Sequence, residues 1–273
     1  MLFITIATSG MDPRQSAVVG NLLNPSYTFS LATTYSVPMS LWQRLINTFT
    51  HIAVPFLWRH WSIVPEIQKQ ITARFPDLPP LLEIERNSSL SLINSHFSIS
   101  QTIPMLPSQV EVGAIHCNPA QPLPQDLETW ISGAGPEGVI YFSLGSKVQG
   151  SSMPTKYRDA FIESFRRLPH RVIWKYDVEL NGVSDNVLIK KWLPQQDLLG
   201  NNKVKVFITH GGLLSLQEAI YHATPLLSIP IVVDQPRNAL FVKNKGLGET
   251  LLWEELTADA LVSTLTKITK NPQ

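Results

Sequence analysis

Cysteine is nearly absent from the 273 residues: Cys117 stands alone, which excludes an internal disulfide and any cysteine-based metal cluster. Nor does either charge prevail. With 22 Lys and Arg against 21 Asp and Glu the formal charge is +1, and no basic cluster is interleaved with aromatics as a nucleic-acid footprint requires. Nucleic acid is therefore not an expected partner. No apolar run reaches the roughly 20 residues of a membrane-crossing helix; the longest, at 226–233, is broken by Pro230. The opening residues, MLFITIATSGMDPRQSA, are too briefly apolar and lack a basic flank, so they read as a buried strand rather than a secretory leader. Repeats and low-complexity tracts are missing as well. Asn87-Ser88-Ser89 fits the glycosylation sequon, which carries meaning only in a lumenal chain.

What is present is ample apolar material: 44% of the residues are hydrophobic, enough for one large or two modest folded domains. Residues 1–119 are irregular, with an apolar strand expected at 2–7, an aromatic-rich helical stretch at 41–61 and a second strand at 91–94. The stretch NPAQPLPQDLETWISGAGPEG, residues 118–138, has three prolines by Pro124, then a short helix and a Gly/Pro turn, as a domain linker does, and we assign the linker to 120–137. From 138 onward VIYFSL, RVIWKY, NVLIKKW, VKVFITH and PLLSIPI read as strands, with helices near 156–168 and at LLSLQEAIYH. Short apolar strands alternating with helices predict an α/β doubly wound domain over 138–273, its parallel sheet covered on both faces. Ligands of such sheets lie beyond the carboxyl ends of the strands, so the loops after Leu144, Trp192, His210 and Ile231 are where chemistry is expected.

Three segments carry that chemistry. In VFITHGGLLSLQEAIYH a strand ends at His210, Gly211 and Gly212 make a turn, and a helix follows. Such a turn lets backbone approach a ligand, and a helix start offers N–H groups to an anion such as a diphosphate. His210 and Ser215 can donate to phosphate oxygens. Yet Ser215-Leu216-Gln217-Glu218 also has the S-x-x-E pattern of a capping box, in which Glu218 closes back on the helix start. In KKWLPQQDLLGN, Trp192 follows a strand and can stack on a base while Gln195 reads its edge; the alternative is a core tryptophan beside a cap at Asp197. In IPIVVDQPRNA, Asp234 and Gln235 end a strand and suit sugar hydroxyls, or simply make a turn.

WLPQQDLL, FITHGGLLSLQEAIYHATP and IPIVVDQPRNA, in this order and spacing, closely resemble the signature of the UDP-glucuronosyltransferase and UDP-glycosyltransferase superfamily. VIYFSLGSKV resembles the start of the family's donor domain and VGAIHCNPAQPLP the linker before it, and weaker similarity continues to the first residues. The resemblance implies an α/β fold of the GT-B kind: a Rossmann-like donor domain at 138–273 binding the UDP-sugar, and a truncated Rossmann-like acceptor domain at 1–119. By position Trp192 would stack on uracil and Gln195 contact base or ribose. His210, Gly212 and Ser215 would serve the diphosphate, with Ser143 and Ser146 nearby, Glu218 the ribose hydroxyls, and Asp234 with Gln235 the transferred sugar.

Leu214 stands where many members carry Asn, a feature that resembles the family's invertebrate branch. The family's catalytic histidine, oriented by an aspartate, would lie upstream of Met1, because His51, His60 and His96 fall outside its motif. The implied reaction is transfer of a hexosyl group, with inversion, from UDP-glucose or UDP-glucuronate to a small lipophilic acceptor. It uses no metal and no cofactor, the UDP-sugar being a co-substrate. The full-length protein would sit in the endoplasmic reticulum membrane, facing the lumen, with homo- or hetero-oligomers a possibility open to it. The chain alone is expected to bind UDP without transferring sugar; a short product that only binds UDP-sugar, or pairs with a family member, is the alternative. The strands at 2–7 and at Ser91 are expected to lack sheet neighbours.

Overall fold

The computed structural model describes residues 3–270 apart from 12, 29, 31, 32, 34, 36, 37 and 101, so Leu2 of the expected first strand lies outside the described residues. The chain divides into two compact units, Met1–Ile115 and His116–Gln273.

The first unit opens with β1 (Phe3–Ala7) and α1 (Pro13–Val19), then α2 (Leu41–His60), α3 (Ile63–Arg74), α4 (Leu81–Ile84), β2 (Ser88–Ile93) and β3 (Gln109–Glu111). Its sheet is parallel, ordered β1-β2-β3. Against the expectation above, both strands have sheet neighbours: β1 pairs with β2, and the strand at Ser91 has one on each side, because Gln109–Glu111 supplies a third strand that three residues of sequence did not announce. Helix α2 starts where Ser40 accepts from the Gln43 amide at 3.3 Å and Gln43 returns the bond to the Ser40 N–H at 2.9 Å, a closed capping box. Inside it the buried Asn47 donates to Pro25 O and Thr28 O and accepts from Ser30 N and Thr33 Oγ1, so its burial is matched by bonds on both sides of the amide. Trp42, Leu45, Phe49, Ile52 and Phe56 recur at helical spacing along α2 and are exposed.

The second unit runs α5 (Gln125–Ser132), β4 (Val139–Ser143), α6 (Thr155–Arg167), β5 (Arg171–Lys175), β6 (Val187–Lys190), α7 (Gln195–Leu199), β7 (Val204–Thr209), α8 (Leu213–Tyr221), β8 (Leu226–Ser228), α9 (Gln235–Asn244), β9 (Gly248–Thr250) and α10 (Ala258–Lys270). Every strand pairing is parallel and the sheet order is β6-β5-β4-β7-β8-β9. Alternation along each strand sends side chains to opposite faces. Ile140, Phe142, Val172, Trp174 and Ile208 pack with Phe161 and Phe165 of α6 and Leu261 and Leu265 of α10. Val139, Tyr141, Ile173 and Phe207 pack on the other face with Leu127 and Ile131 of α5, Leu198 of α7 and Leu216 of α8. Residues 120–137, read as a linker with a short helix, do hold that helix, but it belongs to the core: Leu127 and Ile131 sit four apart and cover the sheet.

His170 is buried and neither ring nitrogen has a hydrogen-bond partner among the described residues. Burial holds its pKa below the ordinary 6.5, partly opposed by Glu137; burial likewise lowers His51. A base held neutral in the fold but free to charge when unfolded gives stability that is present above 6.5 and is lost as pH falls below it. The urea midpoint is accordingly expected to be lower at about pH 5.5 than at about pH 7.5, with a smaller difference in His170→Leu.

Candidate functional site

From β4 the chain winds outward to β5 and β6, then returns to β7 and winds the other way through β8 and β9, so the order reverses between β4 and β7. The carboxyl ends of these two strands form the crevice in which doubly wound sheets bind ligands. Strand β4 delivers the buried Ser143, whose Oγ accepts from Gly145 N at 3.2 Å, and then the exposed Ser146. Strand β7 delivers His210 between two glycines. A Cβ on Gly145 would stand 2.7 Å from His210 Cε1, and one on Gly212 would stand 2.6 Å from Nε2. Gly145 also has φ +83°, a conformation that side chains rarely adopt. The glycines are thus the space the imidazole occupies. Burial lowers the His210 pKa, Asp234 opposes this and Lys175 reinforces it, so the ring is neutral at pH 7 and offers one N–H.

Gly212 is also the cap of α8, and no side chain caps this end. Ser215 is therefore the third helical residue and Glu218 the sixth, so the capping box that the tetrapeptide suggests does not form. Instead both side chains turn to α7: Gln195 Nε2 donates to Ser215 Oγ at 3.1 Å and to Glu218 Oε2 at 2.6 Å, while Gln195 Oε1 accepts from Tyr141 OH at 3.1 Å. First-turn amides of α8 have no intrahelical acceptor, and with no capping side chain they are left to meet an anion.

Trp192 is 74% exposed, which removes the core alternative, and Lys175 Nζ lies 4.7 Å from its ring centroid while donating to Gly145 O at 2.7 Å. Asp197 lies within α7, whose cap is Pro194, and accepts from Gln121 N rather than from its own helix. Ser143, Ser146, Trp192, Gln195, Ser215 and Glu218 line one cleft of about 690 Å³. His210, Gly212, Asp234 and Gln235 do not line it; the last two lie at the start of α9, where Asn238 Nδ2 donates to Asp234 Oδ2 at 2.8 Å and to Gly211 O at 2.9 Å. Gln235 Oε1 accepts from Ile231 N and Val232 N at 2.8 and 3.0 Å, so only its amide nitrogen is left to donate. The turn between them holds Val233 at φ +61°, unusual for a β-branched residue.

Sequence reasoning missed Tyr141, Lys175 and His116. Tyr141 is the middle residue of β4 and Lys175 the last of β5, a polar group in an otherwise apolar strand being the signal available. His116 gave no local signal. Its Nε2 lies 3.2 Å from Leu214 O and 3.5 Å from Glu218 Oε1. Among the described residues no group of three His, Cys, Asp or Glu side chains is placed to hold a metal ion, and no helix is long and apolar enough to cross a membrane.

The architecture is that of the GT-B glycosyltransferases. The glycosyltransferase of kitacinnamycin superposes with a TM-score of 0.60 at 20% identity, covering 82% of this chain and 58% of its own. A structure titled LpCGTa in complex with UDP superposes at 0.55 and 19%, covering 70% and 50%; at such identities the likeness is one of fold. The chain belongs to the UDP-glucoronosyl and UDP-glucosyl transferase family, whose model matches residues 3–273. It is 34% identical over 275 residues to UDP-glycosyltransferase UGT5 of Dactylopius coccus, covering 99% of this chain and 52% of that protein. It is 39% identical over 241 residues to a UDP-glucuronosyltransferase of Pleuronectes platessa, covering 85% and 49%. The chain thus spans about half the length of these curated relatives.

Proposed function

We propose that the second unit binds the nucleotide of a UDP-sugar and that the whole protein transfers the sugar, glucose or glucuronate, to a small lipophilic acceptor. The observation that carries this reading is the exposed face of Trp192 sharing one cleft with the joined side chains of Gln195, Ser215 and Glu218, beside the uncapped start of α8. Uracil stacks on Trp192 and meets Gln195, while the ribose diol donates to Glu218. The diphosphate takes Ser215, His210, the α8 amides at Gly212 and the loop of Ser143 and Ser146. Asp234 and the free amide of Gln235 receive the hexose hydroxyls.

In the transfer the acceptor oxygen attacks the anomeric carbon from the face opposite UDP, its proton passes to a general base, and the bond to the β-phosphate oxygen breaks. The charge then left on UDP is stabilised by His210, Ser215 and the helix dipole. The reading uses no metal or cofactor. The whole protein is assigned to the lumenal side of the endoplasmic reticulum membrane, and the chain by itself is proposed to bind UDP without transferring sugar. Trp192→Ala tests the binding half. UDP affinity is expected to fall by about 1–3 kcal/mol, the range for stacking on a base, with the melting temperature unchanged because the ring is exposed. Unaltered affinity by calorimetry in the folded variant contradicts the reading.

A further inference from the structure

The Glu218 carboxylate has two oxygens with different surroundings. Oε2 accepts from Gln195 Nε2 at 2.6 Å, and Oε1 faces His116 Nε2 at 3.5 Å. Three groups lie near His116 Nε2: this carboxylate, the Leu214 carbonyl at 3.2 Å and, farther off, the Cys117 thiol at 3.8 Å; the two oxygens only accept, which assigns the ring proton to Nε2. Among the described residues the other ring nitrogen is buried without a partner, so the ring is oriented through Nε2. Cys117 beside it is neutral, its thiol pushed up to about 11 by burial and by Glu218, and places no second negative charge on the carboxylate.

The backbone bearing His116 is itself held. Gln196 Nε2 donates to His116 O at 3.1 Å, Asn118 N donates to Gln196 Oε1 at 2.8 Å, and Gln121 N donates to Asp197 Oδ1 at 2.8 Å. Helix α7 therefore supplies one direct contact to Glu218 through Gln195 and, through Gln196, anchors the residue making the other. A carboxylate bonded to Gln195 on one side and facing an N–H on the other loses less freedom when a ligand arrives, which raises the affinity of whatever it accepts from.

We propose that His116 is a positioning residue that fixes Glu218 for a vicinal diol, and so sets preference for a ribonucleotide over a 2′-deoxyribonucleotide. This rests on the ribose reading of Glu218. Calorimetry of the purified chain with UDP and with 2′-deoxyuridine diphosphate tests it. The unaltered chain is expected to prefer UDP by about tenfold or more, the value of one hydrogen bond to a charged group. His116→Phe keeps the ring volume without the donor and is expected to reduce the preference to about threefold or less, whereas His116→Gln, which can still donate, retains most of it. His116→Phe reports on folding through its melting temperature, and His116→Gln gives the comparison if it is perturbed. Glu218→Gln separates the two layers. Lost preference in Glu218→Gln with full preference in folded His116→Phe overturns the role of His116 and leaves the ribose reading intact. Full preference in Glu218→Gln overturns both.

Discussion

Gly212→Ala is expected to cost both stability and UDP affinity, although alanine suits the backbone there. Gly212 has φ −62° and ψ 140°, an extended conformation open to any residue. The obstacle is the imidazole: the added methyl would stand 2.6 Å from His210 Nε2 and 2.9 Å from Cε1. The ring has no retreat, because Gly145 faces it on the other side with its own Cβ position 2.7 Å from Cε1. Either His210 leaves its place or the start of α8 shifts, and overpacking of this kind costs about 1–3 kcal/mol of stability. In addition a displaced His210 no longer meets the diphosphate, a loss of about 1.5–3 kcal/mol for a hydrogen bond to a charged group. Adding His210→Ala to Gly212→Ala removes the clash, so the denaturant midpoint recovers while UDP affinity stays low. Wild-type UDP binding by Gly212→Ala in calorimetry contradicts the assignment of this turn to the diphosphate.

Trp174→Ala is expected to destabilise the chain by about 3–5 kcal/mol, as truncation of a large core aromatic does. Its side chain is 1% exposed and is packed by Phe142 at 5.1 Å, Phe165 at 5.6 Å and Tyr176 at 5.0 Å between ring centroids. Those neighbours come from β4, α6 and the end of β5, so the cavity left behind cannot collapse without moving elements that also carry Ser143 and Lys175. Partial relaxation is why the cavity adds to the lost transfer free energy. Denaturant melts of Trp174→Ala and Trp192→Ala side by side provide the check: the first midpoint falls steeply, the second does not. Equal shifts would mean that one of the two rings is misplaced.

These two tryptophans show where reading the sequence ends. Each closes or follows a strand of similar apolar character, and nothing local says that one faces α6 and the other open solvent. The strands of the second unit were legible because both faces of a parallel sheet are buried, which leaves short apolar runs between helices. The crevice was legible too, since ligands of such sheets gather beyond the strand ends and the polar and glycine residues there stand out. The segment SLQE was not. Its capping-box pattern is the same whether a helix begins at Ser215 or, as here, three residues earlier at Gly212, and only the packing of α8 beside α7 turns Glu218 toward Gln195.

Residues 120–137 follow the same logic, since their prolines mark irregular backbone and say nothing of whether Leu127 and Ile131 find a sheet to cover. The sequence by itself determined the alternation of strand and helix, the turn glycines beside His210 and the family signature, because these depend on neighbours along the chain. Tertiary structure alone decided that Trp192 is exposed, that Glu218 is held by Gln195 and faces His116, and that Gln235 spends its carbonyl on a turn. Such contacts join residues distant in the chain, and their energies exist only once the sheet has brought them together.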